Sequence, residues 1–272
     1  MVNGYQARSL QEALDILSSE AVIPYSGGTD LMKKANGNAT YLFLNKVPEM
    51  KNIREDRKYI RIGAGCTFTE IIESELTPAI LKEAAALVAA PAIRNLGTVG
   101  GNICNGSPKA DCALIFFVTD SKLRLVSKKG ERVIPISEFY LGRNHTILQK
   151  DELLVEIFMN KTGFENYCYK KVGARKALTM SRVSFAAILN MADGKITQCM
   201  IAFGAVGEVI LRRKEIDDML IGRTIPEARA VKENYLAAYE QAINPVQGRI
   251  SAEYKKTVCM NLLGDFLDSK GI

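Results

Sequence analysis

The sequence predicts an α+β chain built in two parts that meet near residue 160. Three observations carry this. The first fifty residues alternate helical and strand-like segments. Strand-like runs separated by turn signals fill the stretch from 113 to 160. Beyond 160, three strand-like runs are followed by two helical ones. Runs of strands followed by runs of helices point to an antiparallel sheet with helices to one side.

Ser9-Leu10-Gln11-Glu12 is a capping box that opens an amphipathic helix with Leu10, Ala13, Leu14 and Leu17 on one face. "AVIPY" is a short strand leading into "SGGTDLMKK", a glycine turn that can open a second helix, and "TYLFLN" is a buried strand. The first fifty residues therefore form a small αβαβ unit. "KYIRIGAG" alternates as a strand, and Thr67-Phe68-Thr69-Glu70 is a second capping box. Thr77 and Pro78 serve as N-cap and N1 of the helix "AILKEAAALVAA". "ALIFFVTD", "KLRLVSKKG", "ERVIPI" and "ELLVEIFM" then read as strands of one antiparallel sheet. In the second part "ENYCYKKVG" and "SRVSFAAILNMADGKITQCMIAFGAVG" give three strands with a hairpin at Asp193-Gly194. "EARAVKENYLAAYEQAI" and "AEYKKTVCMNLLGDFLDS" are helices.

Composition narrows the function classes. Hydrophobic residues make up 47% and charged residues 24%, as in an ordinary globular chain. No run of eighteen apolar residues marks a membrane span. No signal peptide opens the chain, so the cytoplasm is the expected compartment. The net charge of +6 suits an anionic ligand or an acidic partner, but no basic helix stands out and Trp is absent, which argues against nucleic acid. Six cysteines without a C-x-x-C pair, and a single histidine, argue against a zinc site or an iron–sulfur cluster held by this chain alone. Cys104 and Cys112 read as small buried residues, and His145 as a surface or capping residue with no catalytic part.

Two glycine loops remain: Ser26-Gly27-Gly28-Thr29-Asp30 and Gly97-Thr98-Val99-Gly100-Gly101-Asn102. Glycines without Cβ let backbone N–H groups converge on an anion, and Thr29 and Thr98 add hydroxyls. Asp30 would repel a phosphate and is better placed capping the helix that follows. Neither loop is G-x-G-x-x-G, and no G-x-x-x-x-G-K-[ST] occurs, so Rossmann and P-loop binding are excluded. From the residues alone each loop is either a tight turn or half of a cradle for a diphosphate.

The order and content of three segments go further. "PYSGGTDLM", "AIRNLGTVGGNICNGSPKAD" and "YKKVGARKALTMSRVSFAA" resemble motifs of the FAD-binding (medium) subunits of molybdenum hydroxylases, the family of xanthine, carbon monoxide and nicotinate dehydrogenases. The resemblance covers about residues 5 to 270. It implies an FAD-binding domain of the vanillyl-alcohol-oxidase (PCMH) type over residues 1–160, with subdomains of about 1–55 and 56–160. Residues 161–272 would form a C-terminal domain of a three-stranded antiparallel sheet with helices. It implies non-covalent FAD, a molybdopterin-binding large subunit and a 2Fe–2S small subunit as partners, and NAD+ as acceptor of hydride. A flavin relay to quinone, ferredoxin or oxygen is the alternative, and a stand-alone flavin reductase of the cell-wall precursor type a weaker one.

Carried over residue by residue, Pro24, Tyr25, Ser26, Gly27, Gly28, Thr29, Asp30 and Leu31 would bind the FAD diphosphate. Thr98, Val99, Gly100, Gly101 and Asn102 would form the second wall, with the Gly100 and Gly101 amides approaching the diphosphate and Thr98 and Asn102 as flanking donors. Asp111 would accept a hydrogen bond from the sugar or adenine side of the flavin. Leu154 would line the flavin site, and Lys170 would lie near the isoalloxazine ring. The resemblance assigns this chain no catalytic acid or base and no metal. Val88 stands where some relatives carry an aromatic residue, and the cysteine-rich insertion of one branch is missing.

Overall fold

The computed structural model describes residues 3–34 and 37–272, without the side chain of Lys34. Three sheets carry the architecture. The first is parallel, with Thr40–Phe43 in the middle between Asn3–Gln6 and Ile23–Tyr25. The helix Leu10–Ser19 connects the two outer strands and buries Ala13, Leu14 and Leu17. Its cap departs from a full box. Ser9 Oγ accepts from Glu12 N, but the Glu12 carboxylate reaches back to Arg8 N (2.7 Å). The strand Asn3–Gln6 precedes that helix, so the unit begins with a strand and not, as expected, with a helix. The sequence NGYQ has no apolar alternation to announce it.

The second sheet is antiparallel throughout. Its order is Ile53–Glu55, Tyr59–Gly63, Leu153–Asn160, Lys122–Ser127, Gly130–Pro135. The helices Phe68–Glu73, Ala79–Ala86, Pro91–Arg94, Val99–Cys104 and Asp111–Val118 lie between Tyr59–Gly63 and Lys122–Ser127 in the chain. The capping box of Thr67 and Glu70 forms in full. Thr67→Ala is accordingly expected to lower stability by about 1 kcal/mol, read as a lower urea midpoint at unchanged slope.

Two expectations fail in this stretch. The helix after Thr77 begins at Ala79 with Pro78 as N-cap, and Thr77 Oγ1 is buried without a partner. The run "ALIFFV", expected as a strand, lies in the helix Asp111–Val118. All eight of that helix's residues are buried, so it has no polar face, and a short apolar run without a polar face fits strand and helix equally well.

The third sheet comprises Tyr167–Val172, Val183–Ala192, Lys195–Gly204 and the two-residue strand Leu211–Arg212, one strand more than the three expected. Asp193 and Gly194 both have positive φ (51° and 74°), the geometry of a tight two-residue hairpin. The sheet separates two cores by simple alternation. Phe185, Ala187 and Leu189 face the C-terminal helices, whereas Ala186 and Ile188 face the core of the first 160 residues. On that second face the buried helix Asp111–Val118 packs against both long strands. The helical run expected from 227 divides into Ile225–Ala230 and Lys232–Ala242, and Ala252–Ser269 closes the chain. No described helix is long and apolar enough to cross a membrane.

Candidate FAD-binding site

The first glycine loop leaves the C-terminal end of the parallel strand Ile23–Tyr25, where ligands of parallel sheets commonly sit. Gly28 adopts a left-handed conformation (φ 68°), and a Cβ there would fall 2.1 Å from Tyr25 Oη. The Tyr25 ring packs on Phe43 (5.0 Å between centroids) and edge-on to Tyr41 (5.9 Å). Among the described residues, the backbone N–H groups of Ser26, Gly27, Gly28, Thr29 and Asp30 donate to no protein acceptor. The loop continues into a 3-10 turn over Leu31–Lys34, not an α-helix. The Asp30 carboxylate accepts from Lys33 Nζ (2.6 Å) and Asn105 Nδ2 (3.2 Å).

The second loop is built differently. Thr98 caps the helix Val99–Cys104, its Oγ1 accepting from Gly101 N (3.1 Å). Val99 N donates to Cys66 O, Gly100 N to Ala64 O and Asn102 N to Thr98 O. The amides expected to approach a diphosphate are thus engaged within the chain, and the free donors lie in the first loop. Thr98 and Asn102 keep donors of their own, the hydroxyl proton and the Nδ2 group, because Asn102 Oδ1 accepts from Ala113 N (3.2 Å).

The two glycines of the second loop differ in what they need. A Cβ on Gly100 would lie 2.6 Å from Ala64 Cβ, so internal packing requires that glycine. A Cβ on the exposed Gly101 would meet only Thr98 Oγ1, at 3.1 Å. Among the described residues no other atom beyond its chain neighbours and its own helix backbone comes within 4 Å of that position.

The loops meet. A Cβ on Gly27 would fall 2.0 Å from Leu96 O and 2.8 Å from Gly97 Cα, so backbone lies directly on backbone, and the Asn105–Asp30 hydrogen bond ties the far ends together. Leu154 is buried in the central strand, next to a bulge, and the neighbouring Val155 O accepts from Ala64 N, behind Gly100. Asp111 is buried, and its carboxylate accepts from Lys171 Nζ (2.7 Å), Ser181 Oγ (2.9 Å) and Tyr169 Oη (3.3 Å). Burial pushes this carboxyl up, and Lys171 foremost pulls it back. Lys170 is exposed, on the face of its strand opposite Lys171. Val88 packs against the main core, and its carbonyl accepts from Arg94 Nη1. Cys112 is buried as expected, whereas Cys104 is only partly buried; burial pushes the Cys66 and Cys104 thiols up to about 12 and raises Cys112 as well, which disfavours the thiolate a nucleophile needs.

Residues 1–160 match the FAD binding domain in molybdopterin dehydrogenase, and residues 167–269 match the CO dehydrogenase flavoprotein C-terminal domain. The chain belongs to the FAD-binding subunits of the molybdenum hydroxylase family. It is 32% identical over 221 residues to the xanthine dehydrogenase FAD-binding subunit of Escherichia coli O157:H7, covering 76% of this chain and 75% of that one. It is 27% identical over 285 residues to the nicotinate dehydrogenase FAD-subunit of Eubacterium barkeri, covering 97% and 95%. A solved carbon monoxide dehydrogenase from Hydrogenophaga pseudoflava superposes with a TM-score of 0.89 at 25% identity, over 98% of this chain and 96% of that one. The PCMH-type fold with its flavoprotein C-terminal domain follows from these likenesses.

The residues present fit FAD. The first loop offers a set of free amides to an anion, and the open space over Gly101 admits a group that any side chain there would obstruct. What sequence reasoning missed is the ring of donors around Asp111. The doublet Lys170-Lys171 signalled it, because alternation along a strand turns one lysine of such a pair inward.

Proposed function

We propose that this FAD-binding oxidoreductase subunit works beside a molybdopterin-binding large subunit and a 2Fe–2S small subunit, in the cytoplasm, with NAD+ as the final acceptor. In this reading residues 1–160 hold the flavin and residues 161–272 brace that part. Bound FAD supplies the conversion between single-electron transfer from iron–sulfur clusters and hydride transfer to NAD+. The chain's own work is to bind and orient. The Ser26–Asp30 amides hold the diphosphate, Gly101 leaves room for it, and Asp111 holds the nucleotide end. None of these tasks requires a general acid or base.

One observation carries the reading: Gly27, within the loop of free amides, lies against the Leu96–Gly97 backbone that leads into the second loop. The alternative is a relay to quinone, ferredoxin or oxygen. Reducing the assembled complex with substrate and adding NAD+ separates the two. NADH formation is expected; reoxidation by a quinone or oxygen with no NADH would establish the relay.

A further inference from the structure

We propose that Lys171 is a positioning residue for FAD, acting from the C-terminal sheet through Asp111 on the wall formed by the second glycine loop. The inference rests on FAD lying between the two glycine loops.

The Lys171 side chain is 6% exposed and that of Asp111 10%. The ammonium donates to Asp111 Oδ2 (2.7 Å) and to Leu87 O (2.8 Å). Leu87 is the C-cap of the helix Ala79–Ala86, where a cation also meets the negative end of the helix. Asp111 begins the helix Asp111–Val118, and two residues on, Ala113 N donates to Asn102 Oδ1 (3.2 Å). An unbroken series of contacts therefore runs from Lys171 through Asp111 and the first turn of this helix to Asn102, the residue after Gly101.

The three side chains that donate to Asp111 are Tyr169, Lys171 and Ser181, all beyond residue 160. A carboxylate offers about four acceptor positions, and among the described residues three are filled and a second position on Oδ2 takes no side-chain donor. The titratable neighbours of Asp111 are Lys171, Tyr169 and Cys112, and burial raises both the tyrosine and the thiol. Among the described residues Lys171 is the cation paired with this carboxyl, and it favours the ionised form against burial. An ionised Asp111 with a fixed oxygen is a stronger and better-aimed acceptor than a protonated one.

The far end of the same helix supplies a control. Asp120, two residues past the end of that helix, pairs with Lys214 (3.0 Å) and lies 3.6 Å from Arg212, both again beyond residue 160. That contact joins the two halves of the chain with no hydrogen bond to a glycine loop.

The full-length chain is compared as wild type, Lys171→Met, the double variant Asp111→Asn/Lys171→Met, Asp120→Asn and Gly101→Val. FAD affinity, the visible circular dichroism of bound flavin and the melting temperature without FAD are read for each. Lys171→Met is expected to bind FAD about tenfold more weakly or worse, with an altered flavin spectrum. The double variant, which leaves no unpaired buried charge, is expected to regain melting temperature but not affinity. Asp120→Asn is expected to keep both affinity and spectrum. Recovery of affinity together with stability in the double variant would overturn the inference and leave Lys171 a structural residue. Equal weakening in Asp120→Asn would overturn it too. If Gly101→Val binds FAD as wild type does, the placement of FAD in the loops fails. If Gly101→Val loses FAD while both Lys171 variants keep it, only the role of Lys171 fails.

Discussion

Gly101→Val is expected to yield a folded chain that has lost most of its affinity for FAD. The case rests on the contrast among three glycines. At Gly27 a Cβ would strike the Leu96 carbonyl at 2.0 Å, and at Gly100 it would strike Ala64 at 2.6 Å. Substitution at either must move backbone, so loss of flavin there would say nothing specific about the ligand. Gly101 has a helical neighbourhood, lies exposed, and offers only Thr98 Oγ1 at 3.1 Å to a new Cβ. Replacing glycine in a helix by alanine stabilises by roughly 0.8–1.0 kcal/mol, and valine recovers part of that. The fold therefore has little reason to suffer. A ligand seated on that surface does, because forcing extra methyl groups against a close-packed contact costs about 1–3 kcal/mol, or roughly 5–150-fold in affinity. Titration of the apoprotein with FAD, beside a melting curve without it, measures both sides. Wild-type affinity in Gly101→Val would remove the second loop from the site, and Gly101→Ala should show a smaller loss of the same kind.

How far the sequence led can be judged at particular residues. The glycine loops were legible because their composition has few physical uses, and the family resemblance chose among them. Which loop carries the free amides was not legible, because it depends on the partners of each N–H. Gly100 N meets Ala64 O, and that carbonyl is placed by a strand more than thirty residues earlier. The helix Asp111–Val118 is illegible for a related reason: burial on every side removes the polar face that distinguishes a 3.6-residue period from a strand. The turn at Asp193-Gly194, by contrast, is a local matter of two residues with positive φ and is legible from that pair alone. At Lys170-Lys171 the alternation was visible but its phase was not, and a one-residue difference separates an exposed lysine from a buried one.

Arg212→Met is expected to destabilise the C-terminal sheet by about 3–5 kcal/mol near neutral pH, and by much less in mild acid. Arg212 lies in the two-residue strand Leu211–Arg212, held to Lys195–Gly204 through Ala202 and Phe203. Its side chain is 7% exposed and ion-pairs with Asp217, 1% exposed. Asp217 also accepts from Tyr239 Oη (2.5 Å), Tyr235 Oη (3.1 Å) and Ile201 N (3.1 Å), so helices and sheet converge on one carboxylate. Methionine keeps most of the apolar stem and removes the charge, which leaves Asp217 buried without its partner Arg212. Burial already pushes this carboxyl from 3.8 up to about 6, with Arg212 foremost among the groups that pull it back. Without Arg212 it must rise further.

A carboxyl whose folded pKa lies above its unfolded one contributes its stability at low pH and loses it as pH climbs through the folded value. In the wild type that loss is complete a little above 6. In Arg212→Met it continues to higher pH, so the gap between the two proteins should widen from about pH 5 to about pH 8. Urea unfolding of both proteins at these two values, followed by far-ultraviolet circular dichroism, measures the gap. A gap that narrows with rising pH would mean that the charge on Asp217 is stabilised by the tyrosines and the Ile201 amide, and that Arg212 serves chiefly to hold Asp120 and the end of the buried helix.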